Sequence, residues 1–359
     1  MKINIKSPYK ITDTASGLIY SQLEIYIYTG TQVATLTTPT YTLVATAIDE
    51  VAEFEISELI RDYIDNNFDG TYPTDNVVWV NYRVVSVFAS SATTSGVIQA
   101  RAFYGYDYYN ETPNQDKEVL QSNDAIYVYS DNGFHLPIDT ELVTSVTFID
   151  DEGNETTTSV SSSNESDEQI QYISNVSNGA DDYEQRVLDD GGTFEDSVCL
   201  EQFFRDYELS GIDKIYITSS NGVQVVDVIE VDECKYKPYK LTFVNKYGAY
   251  QDVWFFKANR ETLTTEKDEY KSNIDRQYRI LNKMGKEKIT INSGYYPEAF
   301  NEVFKQMLLS EEVWIEMDNV TLPVNISSSS FNYKTHLNDK LINYTIDFDF
   351  AFDTINSLR

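Results

Sequence analysis

Alternating apolar and polar residues dominate residues 1–110 and predict strands there. In Leu23-Glu-Ile-Tyr-Ile-Tyr28 an apolar side chain recurs at every second position, as in a strand with one buried face. The pattern predicts strands at 2–5, 19–28, 32–37, 41–46, 52–56, 77–88 and 97–104. One helix is predicted from Ser57, its N-cap, with Leu59, Ile60, Tyr63 and Ile64 on one face. This segment is therefore predicted to be a β-sandwich-like module with one helix.

Residues 111–235 are predicted to form a second β module. Strand-like stretches at 125–129, 143–149 and 215–218 are separated by polar, acidic segments at 156–167 and 178–192, which are predicted to be long loops. The stretch from Ser57 to Tyr63 resembles the one from Glu201 to Tyr207, 144 residues later. This similarity favours two related β modules in tandem, and chance similarity between amphipathic helices is the alternative.

Residues 236–359 are predicted to form a C-terminal β domain. Two aromatic strands flank a turn at Gly248, and 263–280 is polar, basic and strand-like. A helix is predicted from Pro297, with an apolar stripe through Ala299, Phe300, Val303, Phe304, Met307 and Leu308. Strands are predicted at 313–317 and 321–326, the second at a sheet edge because it contains Pro323. Residues 341–352 are predicted to form one long strand with a single apolar face.

The composition agrees with a mainly-β protein that works by contact. Hydrophobic residues make up 41% of the 359 residues, and the chain has 28 Tyr and 18 Phe. Aromatic residues suit half-buried pleated surfaces, and Tyr also suits interfaces because its ring is apolar while its hydroxyl is polar. The predicted fold class is therefore mainly β, with tandem sandwich-like modules, isolated short helices and a C-terminal β domain.

Charge is distributed unevenly and disfavours nucleic-acid recognition. The net charge is −31, which repels phosphate groups. Residues 111–210 hold 24 Asp and Glu against 3 Lys and Arg, whereas residues 235–290 hold 13 Lys and Arg against 7 Asp and Glu. One interpretation is electrostatic complementarity between neighbouring copies of the chain, and the other is an acidic soluble domain beside an ordinary one.

No motif in the sequence predicts catalysis or a cofactor. The two His (His135, His336) and two Cys (Cys199, Cys234) fall in no catalytic or zinc-binding spacing. Acidic pairs such as Asp150-Asp151 lie beside Gly and are typical of solvated turns, and a polysaccharide depolymerase that uses two such carboxylates is the enzymatic alternative. The chain is therefore predicted to be non-enzymatic.

A single spacing resembles a metal-binding loop. Asp65, Asn67 and Asp69, followed by Gly70, match the first half of a calcium loop of the EF-hand type. The twelfth position, which should be Glu, is Asn76. Because the strongest ligand is missing, no metal is predicted, and Asp65, Asn67 and Asp69 are kept only as the calcium candidates.

The sequence also predicts the compartment. No run of about 18 apolar residues is present, so no membrane-spanning segment is expected. Met1 is followed directly by an alternating strand without a secretory signal. Synthesis in a cytoplasm is therefore expected.

Three C-terminal stretches carry a resemblance to a known family. They are Leu241-Thr-Phe-Val-Asn-Lys-Tyr-Gly-Ala-Tyr-Gln-Asp-Val-Trp-Phe-Phe-Lys257, residues 295–314 and residues 340–352. Their order of aromatic strand, amphipathic helix, edge strand and long strand resembles tail-associated structural proteins of phages that infect Bacteroidetes, including crAss-like phages. The resemblance implies a virion component of the tail, or of the rings that join portal to tail, with a C-terminal domain similar to the tail-tube fold.

The same resemblance implies partners: copies of this chain in a ring, and other tail or portal proteins of the virion. The interface candidates are Tyr247, Tyr250, Trp254, Lys257, Trp314, Tyr344 and Phe348. Two alternatives stay open. One is a carbohydrate- or receptor-binding module of the tail or baseplate, and the other is an extracellular bacterial β protein.

Overall fold

The computed structural model describes residues 1–30, 38–64, 66–72, 77–129, 133–160, 170–174, 212–231, 233–271, 273–274, 276–318, 320–328 and 341–354. The chain is mainly β with several sheets, which confirms the predicted fold class. It divides into two compact units. Unit 1 comprises residues 1–67, 72–229 and 245–251, and unit 2 comprises residues 68–71, 230–244 and 252–359.

The first part of unit 1 is a six-stranded sheet with a short helix. Its elements are β1 (Lys2–Asn4), β2 (Lys10–Thr14), β3 (Leu18–Tyr28), β4 (Tyr41–Thr46), β5 (Val51–Glu55), α1 (Ser57–Arg61), β6 (Val78–Phe88), β7 (Ala92–Thr94) and β8 (Ile98–Phe103). The strand order is β1-β8-β6-β3-β4, with β7 on β6, while β2 pairs separately with β5. β1 runs parallel to β8, and Lys2 is opposite Arg101.

Helix α1 is shorter than predicted, and its capping prediction was wrong. Ile56, not Ser57, occupies the N-cap position, without a side-chain cap. The Ser57 hydroxyl instead donates a hydrogen bond to the Glu55 carboxylate. The helix ends at Arg61, and buried Ile60 anchors its apolar face. The predicted strand at 32–37 lies outside the described residues.

The second part of unit 1 consists of two sheets that share one core. Its strands are β9 (Ala125–Val128), β10 (Leu136–Asp139), β11 (Val143–Asp150), β12 (Glu155–Ser159), β13 (Ile170–Ile173), β14 (Ile212–Ser219) and β15 (Gly222–Glu230). Five of them form a sheet in the order β12-β11-β14-β15-β9, and β10 pairs with β13. Leu136 and Ile173 from the small sheet join Val146, Ile215 and Val226 from the large sheet in one buried apolar cluster. This is sandwich-like packing of two apolar faces.

Strand β12 corrects part of a predicted loop. Residues 156–159, which were predicted to belong to a long loop, pair in antiparallel register with β11 from Ser145 to Phe148. Three consecutive Thr residues favour this extended conformation because their branched side chains fit a pleated surface. Residues 161–167, the predicted loop at 178–192 and the repeat at 201–207 lie outside the described residues.

Unit 2 is built on a seven-stranded sheet and one amphipathic helix. Its elements are β16 (Tyr239–Val244), β17 (Tyr250–Phe255), β18 (Asn259–Lys271), β19 (Tyr278–Asn292), β20 (Tyr296–Pro297), a 3-10 turn (Glu298–Phe300), α2 (Asn301–Leu309), β21 (Val313–Met317), β22 (Val320–Ile326), β23 (Leu341–Ile342) and β24 (Thr345–Phe350). The sheet order is β17-β16-β21-β22-β24-β19-β18, and β20 pairs with β23.

Three sequence predictions in unit 2 need correction. Pro297 precedes a 3-10 turn, so the α-helix begins only at Asn301. The long strand predicted at 341–352 is two strands, interrupted at Asn343 and Tyr344. Pro323 is not on an edge strand, because β22 lies between β21 and β24. The pairing of β22 with β24 begins only at Val324, so Pro323 lies just beyond the end of this ladder. A residue in that position is not needed as a backbone N–H donor to β24, and proline is therefore tolerated.

An aromatic cluster around Phe304 forms the core of unit 2. Phe304 on α2 contacts Tyr344, Tyr296 and Phe255, with ring centroids 5.1, 5.5 and 6.0 Å apart. Phe255 also meets Phe348 of β24 edge to face at 6.1 Å. The buried Tyr296 hydroxyl donates a 2.7 Å hydrogen bond to the Trp254 carbonyl. The helix is therefore held to the sheet by rings whose edges and faces are complementary.

We predict that Gly248→Ala destabilises unit 1 more than a matched glycine substitution. Gly248 has φ +80°, and a Cβ there would lie 2.7 Å from the Tyr104 backbone nitrogen. Gly153 has φ +83°, but no atom lies within 4 Å of its would-be Cβ. Gly153→Ala should therefore cost only the backbone strain, about 1–2 kcal/mol, and Gly248→Ala should cost at least about 1 kcal/mol more. Urea unfolding of both variants measures the difference, and equal losses would contradict it.

Candidate functional site

Most of the predicted interface residues are inside the folded chain. Five of them are buried: Tyr250, Trp254, Trp314, Tyr344 and Phe348. Tyr250 and Phe348 are fully inaccessible, and Tyr344 and Phe348 belong to the aromatic cluster of unit 2. The aromatic pattern in 241–352 thus reports the core of the chain, and surface contacts have to come from other residues.

The remaining two candidates, Lys257 and Tyr247, are partly exposed. The Lys257 ammonium forms an ion pair with the buried Glu233 carboxylate. This ammonium, with the Lys235 and Tyr236 backbone amides, holds the pKa of Glu233 below its usual range. The Tyr247 ring lies in unit 1, at the centre of a group of lysines.

Three ammonium groups surround the Tyr247 ring. The Nζ atoms of Lys117, Lys246 and Lys2 lie 4.8, 5.1 and 5.4 Å from its centroid. Lys117 donates hydrogen bonds to the Gln121 carbonyl and, at 3.3 Å, to the Tyr247 hydroxyl. Lys246 pairs with Glu111 at 2.8 Å. We call Tyr247 and these three residues the lysine cluster. The negative face of a tyrosine ring attracts cations, which explains how one ring holds several.

Lys2 is the member of the lysine cluster that burial affects most. Its side chain projects from β1, only 2% of the residue is exposed, and its Nζ has no hydrogen-bond partner among the described residues. Desolvation lowers the pKa of Lys2 to about 8. Asp139, Asp116 and Asp107 oppose this shift, whereas Arg101 reinforces it. The Phe103 ring, 4.7 Å from the ammonium, contributes a second cation–π contact.

A buried ion pair lies beside Lys2. The Arg101 guanidinium binds both oxygens of Asp139, at 2.7 and 2.9 Å, and both residues are nearly inaccessible. Arg101 also contacts Glu141 at 2.5 Å. Such a bidentate pair fixes β8 relative to the end of β10 in one geometry. Removing one partner alone would leave the other charge buried and unpaired, which is the costly outcome.

A polar cavity of about 360 Å³ opens next to the lysine cluster, entirely within unit 1. It is lined by Asn4, Tyr106, Asp107, Glu111, Thr112, Gln115, Asp116, Lys117, Glu118, Lys246 and Tyr247. Its size is in the range of small-molecule sites. The lining holds four carboxylates against the two ammonium groups of Lys117 and Lys246, so the cavity is polar and net acidic.

In unit 2 the outstanding surface feature is the ribbon formed by β18 and β19. Their register extends from Asn259 opposite Ile291 to Lys271 opposite Tyr278, with one irregularity after Asp268. Only residues 288–292 of β19 pair with a further strand, β24. The remainder is a two-stranded extension, which we call the arm: residues 263–271 and 278–287. A strand of 13 residues spans roughly 40 Å.

The arm exposes apolar side chains on both faces. Leu263, Tyr270, Tyr278, Ile280, Leu281 and Met284 are all exposed, and Tyr278 and Leu281 each reach 71%. Successive side chains of a strand point to opposite faces, and β18 is exposed along almost its full length. Strand β19 is also basic, with Arg279, Lys283, Lys286 and Lys288 against a single acidic residue, Glu287.

The described residues form no recognisable catalytic or metal centre. His135 stacks on Tyr72 with ring centroids 3.6 Å apart, and Cys234 is a free, exposed thiol. No group of three metal-binding side chains occurs among the residues that the structure describes. Of the calcium candidates, the Asp69 carboxylate accepts hydrogen bonds from the Thr71 amide and hydroxyl, which lower its pKa. Asp65, Cys199 and His336 lie outside the described residues.

The lysine cluster, the cavity and the arm were not predicted from the sequence. The alternation at 2–5 does predict a strand, but it does not indicate that Lys2 is buried. The basic, strand-like stretch at 263–280 was the one available signal for the arm. Within the described part of the chain, no helix is long and apolar enough to cross a membrane.

We predict that Lys2→Met is more stable than the wild type at pH 7. The buried ammonium has a pKa of about 8, against 10.5 for an ordinary lysine, so folding is penalised while both states are protonated. Removing that charge should gain up to about 3 kcal/mol. Between pH 8 and 10.5 the unfolded wild type binds more protons than the folded one, so its stability should rise and the gap should close. Urea unfolding across this pH range measures the gap, and a gap independent of pH would contradict the explanation.

Comparison with known proteins identifies no relative, so any assignment of function rests on the geometry described above. No protein-family model matches the sequence. No curated protein matches it either.

Proposed function

We propose that this chain is a non-catalytic structural protein of a phage virion, which assembles into a homo-oligomeric ring through the arm. The single observation that carries the proposal is a two-stranded ribbon with exposed apolar side chains on both faces. The ring would lie in the tail or at the junction of portal and tail, with other tail and portal proteins as neighbours.

The arm needs a partner for physical reasons. An isolated two-stranded ribbon is marginally stable in water, because it buries too little apolar surface to offset the entropy of ordering it. β18 is also the terminal strand of its sheet, so one row of its N–H and C=O groups faces no described strand. Long open edges of this kind lead to uncontrolled association unless another chain covers them. Assembly would pair the edge and cover the apolar side chains together.

A second copy of the chain is the occupant that charge favours. Strand β19 carries four Lys and Arg against one Glu, whereas the whole chain has a net charge of −31. The basic side chains of β19 are therefore attracted to the acidic surface of a neighbouring copy. A contact between basic β19 of one copy and an acidic surface of the next joins two different surfaces, so it is head-to-tail rather than two-fold. Head-to-tail contacts of this type close into rings.

The phage assignment is supported by the resemblance of residues 241–257, 295–314 and 340–352 to tail proteins of Bacteroidetes phages. In unit 2 these stretches contribute the sheet and helix α2 from which the arm extends. The resemblance to a tail-tube fold supports a role along the axis of a tail. Imaging of the particle would distinguish a position in the tail from one in the portal–tail connector.

A second candidate function is carbohydrate or receptor binding by a tail or baseplate module. The observation that favours it is the polar cavity of unit 1, with its size of about 360 Å³ and its tyrosine, amide and carboxylate lining. The two functions use different surfaces. A ring protein that also binds a glycan would satisfy both.

We predict that Tyr278→Asp prevents assembly, whereas Tyr109→Asp does not. Tyr278 is exposed on the arm and Tyr109 is fully exposed on unit 1, so neither substitution removes packing from the monomer. Burying a carboxylate in the arm interface should weaken each contact by at least about 2 kcal/mol, or more than tenfold. Mass photometry and negative-stain microscopy of both variants measure the population of rings.

The wild type and Tyr109→Asp should form the same rings at micromolar concentration, and Tyr278→Asp should remain monomeric with an unchanged unfolding midpoint. A wild type that stays monomeric at every concentration would overturn the ring proposal. Rings that persist in Tyr278→Asp would show that another surface forms the contact.

Assembly should also depend on salt, because strand β19 is basic and its proposed partner surface is acidic. Raising the NaCl concentration from about 0.05 M to 1 M shortens the screening length from over 10 Å to about 3 Å. We therefore expect rings to dissociate at high salt while circular dichroism shows each subunit still folded. Rings that become more stable with salt would indicate an apolar contact without electrostatic complementarity.

A further inference from the structure

The five-stranded sheet of unit 1 packs one face into the core and leaves the other face exposed. Its inner face contributes Ile215 and Val226 to the apolar cluster shared with β10 and β13. Side chains at the intervening positions point to the opposite side, which we call the outer face. Tyr216 of β14 lies opposite Thr147 of β11 and opposite Val225 of β15. The strand register therefore places these three side chains in one row of the outer face.

The outer face carries an exposed apolar patch. Val223, Val225 and Ile229 alternate along β15 and are 58%, 38% and 37% exposed. Half-buried Tyr216 extends the patch to β14. The solvent side of an antiparallel sheet is ordinarily polar. Single exposed apolar residues need no explanation, but several adjacent ones indicate a surface that another molecule covers. The patch therefore marks the outer face as a contact surface.

Acidic residues surround the apolar patch. Residues 143–160 and 212–230, which contain four of the five strands of this sheet, hold seven Asp and Glu against one Lys. Glu155 and Asp227 lie on the outer face itself, in the row of paired residues that runs through Lys214. The outer face thus combines an apolar patch with a negatively charged surround.

Strand β19 of the arm has the complementary properties. Its exposed apolar side chains are Tyr278, Ile280, Leu281 and Met284. Four basic residues and one acidic residue lie in the same strand. Apolar surfaces attract one another without regard to charge, whereas a basic strand gains additional attraction from an acidic surface. The outer face therefore matches β19 in both respects.

A second exposed apolar surface of unit 1, on β3 and β4, lacks the charge. Val44 is 64% exposed there, and Tyr20 on the same face is 37% exposed. The one carboxylate of these two strands, Glu24, forms an ion pair with Arg83. Its charge is neutralised locally, so this surface offers a basic strand little attraction. Charge therefore favours the outer face over the surface on β3 and β4.

From these observations we propose that the outer face of unit 1 receives strand β19 from the arm of a neighbouring copy. The proposal rests on the proposed function, because it names the partner surface of the same ring contact. One copy contributes β19, and the next contributes Tyr216, Val223 and Val225 together with the carboxylates around them. Each copy has one surface of each kind, so the contact continues from copy to copy until a ring closes.

Variants on the outer face test the contact from the side opposite to the arm. Val223→Asp places a carboxylate in the apolar patch, and Val44→Asp, at a similarly exposed strand position, is its matched control. Asp227→Lys reverses one charge of the outer face, and Glu53→Lys makes the same change at an exposed position of β5. Analytical ultracentrifugation of the full-length chain measures assembly, and urea unfolding verifies that each variant is folded.

We expect Val223→Asp and Asp227→Lys each to weaken assembly at least about tenfold. Val44→Asp and Glu53→Lys should assemble within about twofold of the wild type. Equal weakening by a variant and its control would overturn the assignment of the outer face. If both outer-face variants assemble like the wild type while Tyr278→Asp does not, the outer face is wrong and the arm contact of the proposed function stands.

Mixing two defective variants tests whether the arm and the outer face are partners. Tyr278→Asp keeps its outer face but lacks a competent arm, whereas Val223→Asp keeps its arm but lacks a competent outer face. Each should be monomeric alone, and an equimolar mixture should form a one-to-one dimer that cannot grow further. Absence of this dimer at concentrations where the wild type forms rings would overturn the proposal. A wild type that is monomeric at every concentration would overturn the ring proposal and this inference with it.

Discussion

A β-ribbon that stands in water with apolar side chains on both faces is the constraint from which the rest of this account follows. Its cross-strand hydrogen bonds hold β18 to β19, but they do not cover Tyr278 or Leu281. Apolar surface of this kind gains free energy only when another surface removes it from water. The compact part of unit 2 has its own aromatic core around Phe304, so the arm is not needed to complete it.

Unit 2 exposes apolar side chains on its arm, whereas unit 1 buries charged side chains at positions where packing alone would favour apolar residues. The bidentate pair of Arg101 and Asp139 is satisfied on both sides, whereas the ammonium of Lys2 lies against two aromatic rings without a hydrogen bond to the described residues. An ion pair of this type specifies geometry more than it stabilises.

Sequence patterns predicted local structure well where one face of an element is buried. The strands at 41–46 and 313–317 have the predicted bounds, and Ile342, Tyr344, Ile346 and Phe348 do share one buried face. Prediction failed where a tertiary neighbour decides the outcome. Pro323 is in an interior strand because the ladder with β24 ends beside it, and no local pattern shows where a ladder ends.

The candidate sites were harder to predict for the same reason. Aromatic residues at 250, 254, 314, 344 and 348 are suited to an interface or to a core, and their burial became known only with the fold. The exposure of the arm follows from its sheet pairing, because β19 pairs with β24 only from Lys288 to Asn292 and residues before Lys288 have no further described strand beside them. The sequence of the arm does not show where that pairing stops. The environment of Lys2 is formed by Asp139, Phe103 and Tyr247, which are distant in sequence, so no local pattern shows that this lysine is buried.

Amide hydrogen exchange of β18 as a function of protein concentration tests the central claim most directly. The amides of β18 that point away from β19 have no described partner in the single chain, so they should exchange rapidly at nanomolar concentration. If copies assemble through the arm, these amides should become protected, together with ring formation, as the concentration rises. Rapid exchange of the same amides within fully assembled particles or rings would contradict the account.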